Sequence, residues 1–342
     1  MKIAVIGAGA IGSVAAAYLH KAGVDVCLIG RPAQVDEIKT KGLRVIGVRG
    51  EETIKVPVLP RLDKRYDLTI ITVKTQDLEE AYQDNQRYLD EESLVLTTQN
   101  GVQADNIIST HLDKFKVVSS IVMFGSTYTK PGEVTFNFEG DWIIGKPFVV
   151  NDPFVWEVAE VLKKAFAVVV TQDIVGMKWL KLFVNFNNCI PALIGKSMQE
   201  TFADKDLCRL SIMLLREGLG VVQKAGIEIV DLPKFPAQRI LGLAAMPIDQ
   251  AVEIIHKTLT TLSKEPLYGS ILQSILRKRT SEIDFINGEV VLLAKNLQSE
   301  APLNQRVIDM VHRVENSGKF FNLQEVKREF YQLSAASSQS AA

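Results

Sequence analysis

Three glycines close to the start of the chain have the spacing of a phosphate-binding turn. This glycine fingerprint consists of Gly7, Ala8, Gly9, Ala10, Ile11 and Gly12. It follows an apolar run typical of a strand and precedes a stretch with helical periodicity. In such a unit the first glycine makes the tight turn, the second lets the backbone approach a pyrophosphate, and the third lets the helix pack on the strand. We therefore expect these six residues to bind the phosphates of a dinucleotide at the helix N-terminus.

The residue after the second predicted strand indicates which dinucleotide binds. An acidic residue there accepts a hydrogen bond from the ribose 2′-hydroxyl of NAD, whereas an arginine can pair with the 2′-phosphate of NADP. The chain has Arg31 at this place, and Asp36, five residues further on, lies within a predicted helix. The pattern favours NADP, in its reduced form NADPH, over NAD. An arginine at a strand end can also be a solvated surface residue, and that alternative stays open.

Two further predicted strands end in polar residues that could meet the same ligand. Lys74 follows the strand at 68–73, and Asn100 with Gly101 follows the strand at 93–98. In this class of fold, ligands bind at the edge where the carboxyl ends of parallel strands lie. Lys74 could contact the cofactor or the substrate, and Asn100 could bond ribose or nicotinamide amide groups. The alternatives are a solvated lysine and a plain turn.

The order of predicted elements divides the chain into two domains. Residues 1–172 alternate β-branched runs with helical segments, with antiparallel strands expected at 127–145. The low-complexity tail 334–342 is predicted to be disordered. Residues 173–333 carry long helical periodicities, which predict helices at 174–194, 206–225, 248–262, 270–277, 281–297 and 304–316. The expected fold is therefore α/β: an N-terminal Rossmann-type doubly wound sheet followed by a mostly α-helical C-terminal domain.

A lysine and two asparagines recur with helical spacing at the start of the second domain. At about 100° per residue, Asn185 lies roughly 40° around a helix from Lys181, and Asn188 lies within roughly 20° of it. The flanking residues are apolar, so these polar groups are expected near buried surface. A partly desolvated lysine can act as an acid near neutral pH. The alternative is a lysine that extends from an amphipathic helix into water, a role for which Lys178 is the better candidate.

A third polar stretch combines a hydroxyl and a carboxylate. Ser281 and Asp284 resemble a helix-capping pair, which would place Glu282 in a first helical turn. Ser270 and Glu282 are too far apart for one straight helix to present both to a small ligand, so a bend is expected near 277–279. Physical chemistry alone does not select Ser270 or Glu282 as functional.

The composition excludes several classes of protein. Among 342 residues, 39 basic and 40 acidic ones give a formal net charge of -1, which offers no electrostatic basis for binding nucleic acid or an anionic membrane. Three cysteines without metal-ligand spacing predict reduced thiols in the cytoplasm and no metal site. Neither an export signal nor an apolar run of membrane-spanning length is evident. Apolar helical surfaces are compatible with a homodimer.

Taken together, these stretches make the chain resemble the ketopantoate reductase (2-dehydropantoate 2-reductase) family along nearly its whole length. That family has a glycine fingerprint, an arginine after the second strand, an Asn-Gly after the fourth, a Lys-x-x-x-Asn helix and a Ser…Glu-Ile-Asp-Tyr-Ile-Asn-Gly segment. The matching residues are Gly7, Gly9, Gly12, Arg31, Lys74, Asn100, Gly101, Lys181, Asn185, Ser270 and 282–288. Phe285 replaces the usual tyrosine. The resemblance implies a 6-phosphogluconate dehydrogenase-like fold and an NADPH-dependent reduction of a 2-keto acid, foremost ketopantoate to pantoate in pantothenate and coenzyme A synthesis.

The resemblance also implies roles for individual residues. Lys181 would be the general acid that protonates the 2-keto oxygen while hydride arrives from NADPH, and its charge would stabilise the developing alkoxide. Asn100, Asn185, Ser270 and Glu282 would hold the substrate. Glu282 suits a hydroxyl of the substrate, since its carboxylate would repel another anion.

The chain departs from the family pattern at one substrate position. The family usually has a second substrate-binding asparagine four residues after the first, and in strict register this chain has Cys189 there. Helical geometry instead favours Asn188, which shares the face of Lys181, so we assign the role to Asn188. Two alternative functions remain: a paralogous reductase of another 2-keto or β-hydroxy acid, and an NADP-binding sensor without catalysis.

Overall fold

The computed structural model describes residues 1–330, so the tail at 334–342 lies outside the described residues. The chain forms two compact units, one covering Met1–Lys178 and the other beginning at Trp179. This division falls inside a single helix, and the domain boundary predicted at 172 stays a prediction.

Two sheets form the framework of the first unit. Its strands are β1 (Lys2–Ile6), β2 (Asp25–Ile29), β3 (Leu43–Gly47), β4 (Gly50–Ile54), β5 (Val58–Leu59), β6 (Leu68–Ile71), β7 (Val95–Thr97), β8 (Val117–Val122), β9 (Gly125–Lys130), β10 (Glu133–Phe138), β11 (Trp142–Gly145) and β12 (Val168–Val170). The larger sheet has the order β12-β11-β8-β7-β6-β1-β2-β5. All its neighbouring strands are parallel except β8 and β11. The smaller sheet has the order β4-β3-β10-β9.

Helices cover both faces of the larger sheet. They are α1 (Ala10–Lys21), α2 (Pro32–Lys41), α3 (Leu78–Asn85), α4 (Gln103–Ile108) and α5 (Pro153–Leu162). Along β1, Ile3 and Val5 belong to one buried apolar cluster, whereas Ala4 and Ile6 belong to another. This alternation follows from the period of two in a strand, and it confirms the predicted doubly wound α/β sheet.

The hairpin predicted at 127–145 is present, with one change in its pattern. β9 and β10 pair antiparallel, and Val134 and Phe136 are fully buried. Phe138 was expected on the same face, but it is 56% exposed. The reason is a shift in register between Phe136 and Phe138, because one extra residue in a strand turns the following side chains to the other face. The sequence pattern did not predict β3 and β4, the partners of this hairpin.

The second unit is helical in the part that the structure describes. The helices are α6 (Ile174–Asn185), which begins in the first unit, α7 (Cys189–Ile194), α8 (Met198–Phe202), α9 (Lys205–Lys224), α10 (Gln238–Ala245), α11 (Ile248–Thr260), α12 (Ser270–Leu276), α13 (Asn287–Asn296) and α14 (Pro302–Ser317). Residues 323–330 are also helical. Among residues 1–330, none of the helices is both long and apolar enough to cross a membrane.

The helix expected at 174–194 is interrupted, and this changes a site prediction. A 3-10 turn at Phe186–Asn188 separates α6 from α7. Pro191 explains the break, because its missing N–H and its ring are tolerated only in the first turn of a helix, which is where α7 has it. The rotation of 100° per residue therefore stops at Asn185, and it does not place Asn188 on the Lys181 face.

Candidate functional site

The glycine fingerprint forms the expected tight turn after β1. Gly7 has a φ of +114°, a conformation that L side chains rarely adopt. A Cβ atom there would lie 2.8 Å from both Thr72 Oγ1 and Val73 N, and one on Gly12 would overlap the carbonyl oxygen of Gly7. Thr72 Oγ1 fixes the turn by donating to that same oxygen at 2.8 Å. The fold itself therefore requires glycine at positions 7 and 12.

Gly9 differs from the other two glycines. Its φ of -85° and ψ of -161° are accessible to any residue. A Cβ atom built there would meet no protein atom within 4 Å. Neither the backbone nor the neighbouring residues of the fold explain a glycine at this position. The open space beside Gly9 fits a ligand that approaches the backbone, as a pyrophosphate does in this class of turn.

The N-terminus of α1, next to Gly9, is also suited to bind an anion. The helix starts at Ala10, and within the described residues no side chain caps its first N–H groups. Its first turn holds no acidic residue, so nothing there opposes a phosphate. Unsatisfied N–H groups and the helix dipole attract negative charge. Ala8, Ala10 and Ile11 thus belong to a turn that can hold a dinucleotide.

Four predicted cofactor-contact segments lie along one edge of the larger sheet. β7, β6, β1 and β2 are neighbours in that order. Asn100 follows β7, Lys74 follows β6, the glycine fingerprint follows β1, and Arg31 follows β2. Because all four strands are parallel, their carboxyl ends share one edge, and three strand spacings correspond to about 14 Å. The structure therefore brings these segments together where such folds bind ligands.

Arg31 is available to a ligand at this edge. Its side chain is 79% exposed, and its Nη2 atom lies 3.8 Å from Asp77 Oδ2. An exposed pair at this separation contributes little and is easily exchanged for a stronger anion. Asp36 lies on α2, as expected, and is exposed.

Gln34 is a positioning residue that the sequence pattern did not reveal. Its Oε1 atom accepts a hydrogen bond of 3.0 Å from the backbone N–H of Arg31. Its Nε2 atom donates to the carbonyl oxygen of Ala8 at 2.6 Å. One side chain thereby ties the Arg31 segment to the glycine fingerprint. The signal was available, since a glutamine three residues after the helix cap, with Pro32 in the first turn, is typical of a helix start.

Gln99 is a second positioning residue, and it connects the segments that carry Lys74 and Asn100. Its buried Nε2 atom donates to the carbonyl oxygens of Ile71 and Val73, each at 2.9 Å. The side chain therefore joins the end of β6, just before Lys74, to the residue that precedes Asn100. Both Lys74 and Asn100 are half-buried.

Lys178 does not extend into water, contrary to the expectation for it. Its ammonium group donates to Asp105 Oδ2 at 2.8 Å, and the two side chains are 3% and 5% exposed. Asp105 also accepts hydrogen bonds from Thr97 Oγ1 and Ser119 Oγ. The Thr97–Asp105 bond spans the segment that carries Asn100. Sequence alone could not reveal this pair, because its members are 73 residues apart.

We expect Lys178→Met to lower the free energy of unfolding by about 3 kcal/mol, because removing one partner leaves the other charge buried and unpaired. Urea unfolding measures this loss. Lys205→Met is the matched control, since Lys205 pairs with Glu253 at an exposed site and should cost under about 1 kcal/mol. Equal losses for the two variants would contradict the structural role given to Lys178.

The second unit carries the predicted catalytic lysine on α6. Lys181 and Asn185 are half-buried, whereas Leu182 and Phe183 between them are buried. This agrees with the expectation that polar groups here lie near buried surface. Half burial screens the Lys181 side chain partly from water, and its role as the proton donor stays a prediction.

Asn188 and Cys189, the two residues considered for the second substrate position, lie in different surroundings. Cys189 is fully buried, and its Sγ atom donates to the carbonyl oxygen of Phe186 at 2.9 Å. Burial raises the pKa of this thiol to about 12, so it stays neutral inside the protein. Asn188 is half-buried, whereas Asn187 accepts a hydrogen bond from Ser211 on α9. Cys189 is therefore enclosed by protein, and the assignment of the second substrate position to Asn188 stays a prediction.

Asn188 and Ser270 are brought together by the packing of α12. A Cβ atom on Gly269 would lie 2.5 Å from Asn188 Oδ1, so only glycine lets the two segments approach this closely. Ser270 is the next residue, exposed at the first position of α12. The helix ends at Leu276, and Lys278 has a φ of +54°, which gives the bend that was expected near 277–279.

Glu282 precedes a short 3-10 turn and does not lie within a helical turn. The turn covers Ile283–Phe285, and Glu282 is half-buried. Ser281 Oγ accepts from the N–H of Ile283 at 3.3 Å. The side chain of Asp284 contacts His312 on α14. The expected capping pair of Ser281 and Asp284 is therefore wrong, because the side chain of Asp284 contacts a residue of α14.

Comparison with known proteins identifies relatives over nearly the whole chain. The family model described as "Ketopantoate reductase PanE/ApbA" matches residues 3–147, and the model for its C terminal part matches residues 173–315. A protein of Pyrococcus abyssi named 2-dehydropantoate 2-reductase is 31% identical over 308 residues, which are 89% of this chain and 94% of that protein. A protein of the same name from Pyrococcus horikoshii is 29% identical over 93% of this chain and 99% of its own length.

Solved structures share the fold. A ketopantoate reductase family protein from Ralstonia eutropha superposes with a TM-score of 0.77 at 24% identity, covering 93% of this chain and 99% of that chain. D-mandelate dehydrogenase, solved with NADH and anilino(oxo)acetate, superposes with a TM-score of 0.78 at 23% identity over the same shares. Both support the predicted fold class. With the family models and the Pyrococcus relatives, they lead to one conclusion: the chain belongs to the ketopantoate reductase family, a family of dinucleotide-dependent oxidoreductases.

Proposed function

We propose that this protein reduces ketopantoate to pantoate with NADPH as the hydride donor, the step that serves pantothenate and coenzyme A synthesis. The observation that carries the proposal is the half-buried Lys181 on α6. This lysine occurs in a chain whose two halves both match the family. We also propose residues 173–333 as the substrate domain.

The reduction adds a hydride to the keto carbon and a proton to the keto oxygen. NADPH supplies the hydride when it is bound. Lys181 donates the proton from its Nζ atom to the oxygen, and the ammonium charge stabilises the negative charge that develops there. The carbonyl becomes an alcohol, and Lys181 regains a proton from solvent.

The remaining residues hold the substrate. Asn100, Asn185 and Asn188 offer amide groups, which can donate to a carboxylate or to the keto oxygen. Ser270 can do the same through its hydroxyl. Glu282 accepts from the substrate's hydroxyl arm, because a carboxylate stabilises a donor and repels an anion. This division of roles selects a 2-keto acid that carries a hydroxyl group.

The cofactor preference follows from Arg31. A 2′-phosphate would replace Asp77 beside the guanidinium and gain charge-assisted hydrogen bonds, whereas the 2′-hydroxyl of NADH would not. Gln34 bonds both to the backbone of Arg31 and to Ala8 in the glycine fingerprint, so it holds the Arg31 segment next to the phosphate-binding turn. We therefore propose NADPH over NADH.

Arg31→Ala should weaken NADPH binding about 10- to 100-fold, the range expected from loss of a charge-assisted hydrogen bond, and should leave NADH binding unchanged. Fluorescence titration of both cofactors measures this. Arg65→Ala is the matched control, because Arg65 is exposed, pairs with Asp90 and precedes β6, at the opposite edge of the sheet from Arg31. Equal affinities of the unmodified protein for NADPH and NADH would overturn the preference.

The proposed reaction is tested by NADPH oxidation with a panel of 2-keto acids that includes ketopantoate. A second candidate, a reductase of a different 2-keto acid, is favoured by the buried Cys189 at the position where the family has an asparagine. Ketopantoate as the best substrate supports the first candidate, and a better substrate without a hydroxyl arm supports the second. Tight NADPH binding with no oxidation by any panel member would indicate the sensor instead.

We further propose a cytoplasmic homodimer. The location is supported by the three cysteines, which are all free and buried. Thiols in this state are typical of a reducing compartment. Sedimentation velocity tests the dimer, and a single species of monomer mass would contradict it.

A further inference from the structure

The turn that carries Glu282 depends on contacts from elsewhere in the second unit. A 3-10 turn of three residues has weak hydrogen bonds of its own, so its position is set by its neighbours. Ser281, Ile283 and Ile286 are at most 1% exposed and anchor one side of it. Glu282 is the half-buried residue between two of these anchors.

Hydrogen bonds from α14 hold this turn at both ends. The backbone N–H of Ser281, just before Glu282, donates to Glu315 Oε1 at 2.7 Å. Asp284, two residues after Glu282, lies with Oδ1 at 3.0 Å from His312 Nε2. His312 Nδ1 in turn lies 2.9 Å from Glu315 Oε2. One imidazole ring thus stands between the two carboxylates, and together they enclose the Glu282 segment.

Only the protonated ring can satisfy both carboxylates. A neutral imidazole has a single N–H group, so one of its nitrogens would present a lone pair to a carboxylate oxygen. The imidazolium has two N–H donors and a positive charge, which match the two acceptors. In the part of the chain that the structure describes, Asp284 from the turn and Glu315 from α14 are the charged groups recorded beside the ring.

We propose that His312 is a positioning residue whose protonated ring fixes the turn between Ser281 and Asp284, and thereby places Glu282 for the substrate's hydroxyl group. The inference rests on the proposed function, in which Glu282 accepts a hydrogen bond from that hydroxyl. His312 itself does not contact the substrate. Its loss acts on substrate affinity and leaves cofactor binding and proton transfer by Lys181 unchanged.

The surroundings of His312 predict how this arrangement responds to a change in pH. Partial burial lowers the pKa of His312, but the hydrogen bonds with Glu315 and Asp284 outweigh burial and raise it above its usual value. A raised pKa means that the bridge is complete at low pH and is lost as the pH rises through the pKa of the folded protein. The KM for the keto acid should therefore increase with pH while the affinity for NADPH does not.

The test compares His312→Gln with the unmodified protein. Glutamine keeps one hydrogen bond and cannot be protonated, so at acidic pH we expect the KM for ketopantoate to rise about tenfold, equivalent to about 1.4 kcal/mol. Its KM should also become independent of pH over the range in which the unmodified protein changes. His256→Gln is the matched control, since His256 lies on α11 and outside this network.

Hydrogen exchange gives a second readout that needs no substrate. The amides of Ser281 and Ile283 should lose protection in His312→Gln and keep it in His256→Gln. Unchanged protection would overturn the bridge, and lost protection with an unchanged KM would overturn its role in substrate binding. An unmodified protein that oxidises no NADPH with any 2-keto acid contradicts the proposed function instead, and the exchange measurement still decides whether the bridge exists.

Discussion

Lys181→Ala should lower kcat about a thousandfold, within the range that general acid catalysis contributes. The variant lacks both the proton donor and the positive charge beside the developing alkoxide. NADPH affinity should stay the same, because the proposed phosphate contacts lie in the first unit, in the glycine fingerprint and at Arg31. Steady-state NADPH oxidation and fluorescence titration of NADPH measure the two quantities separately.

One further variant separates proton donation from charge, and a second serves as its control. Lys181→Arg keeps a positive charge but binds its proton too tightly to donate it, so its kcat should fall between those of the alanine variant and the unmodified protein. Lys224→Ala removes an exposed lysine at the end of α9 and should leave both quantities unchanged. A kcat of Lys181→Ala within threefold of the unmodified protein would show that another group is the acid.

The sequence predicted the fold best where hydrophobic periodicity repeats. The parallel strands and the long helices α9, α11 and α14 follow such patterns, and their predicted bounds differ from the structure by a few residues. The smaller sheet was missed in part because β4 reads as an exposed, polar segment. The break after α6 was missed because periodicity was extended across Pro191, whose effect on the preceding turn is local and steric.

For the candidate site, too, the sequence could predict some residues and not others. Residues that a motif fixes, such as Arg31 and Lys181, could be placed on elements from spacing alone. The residues that hold those elements could not, because Gln34, Asp105 and His312 act through partners distant in sequence or through backbone atoms. Ordinary polar side chains carry no signal of such a partner until the fold brings the two together.

Substitutions in the glycine fingerprint can distinguish an effect on folding from an effect on cofactor binding. Gly9→Ala should fold normally, since the added methyl meets no protein atom and the backbone is extended. It should even gain a few tenths of a kcal/mol, because alanine restricts the unfolded chain. Its NADPH affinity should nevertheless fall about a hundredfold, because the methyl would displace the phosphates by about 1 Å. Thermal unfolding and NADPH titration measure the two effects.

Gly12→Ala, by contrast, should lower both stability and NADPH affinity. Its Cβ would overlap the carbonyl oxygen of Gly7 and the hydroxyl of Thr72, so the turn has to shift and stability falls together with binding. Gly220→Ala, at an exposed site on α9 with free space around it, should stabilise the helix and leave NADPH affinity unchanged. If Gly9→Ala bound NADPH as tightly as the unmodified protein, the space beside Gly9 would not be the pyrophosphate site. The glycine there would then need a reason that neither its backbone angles nor its neighbours supply.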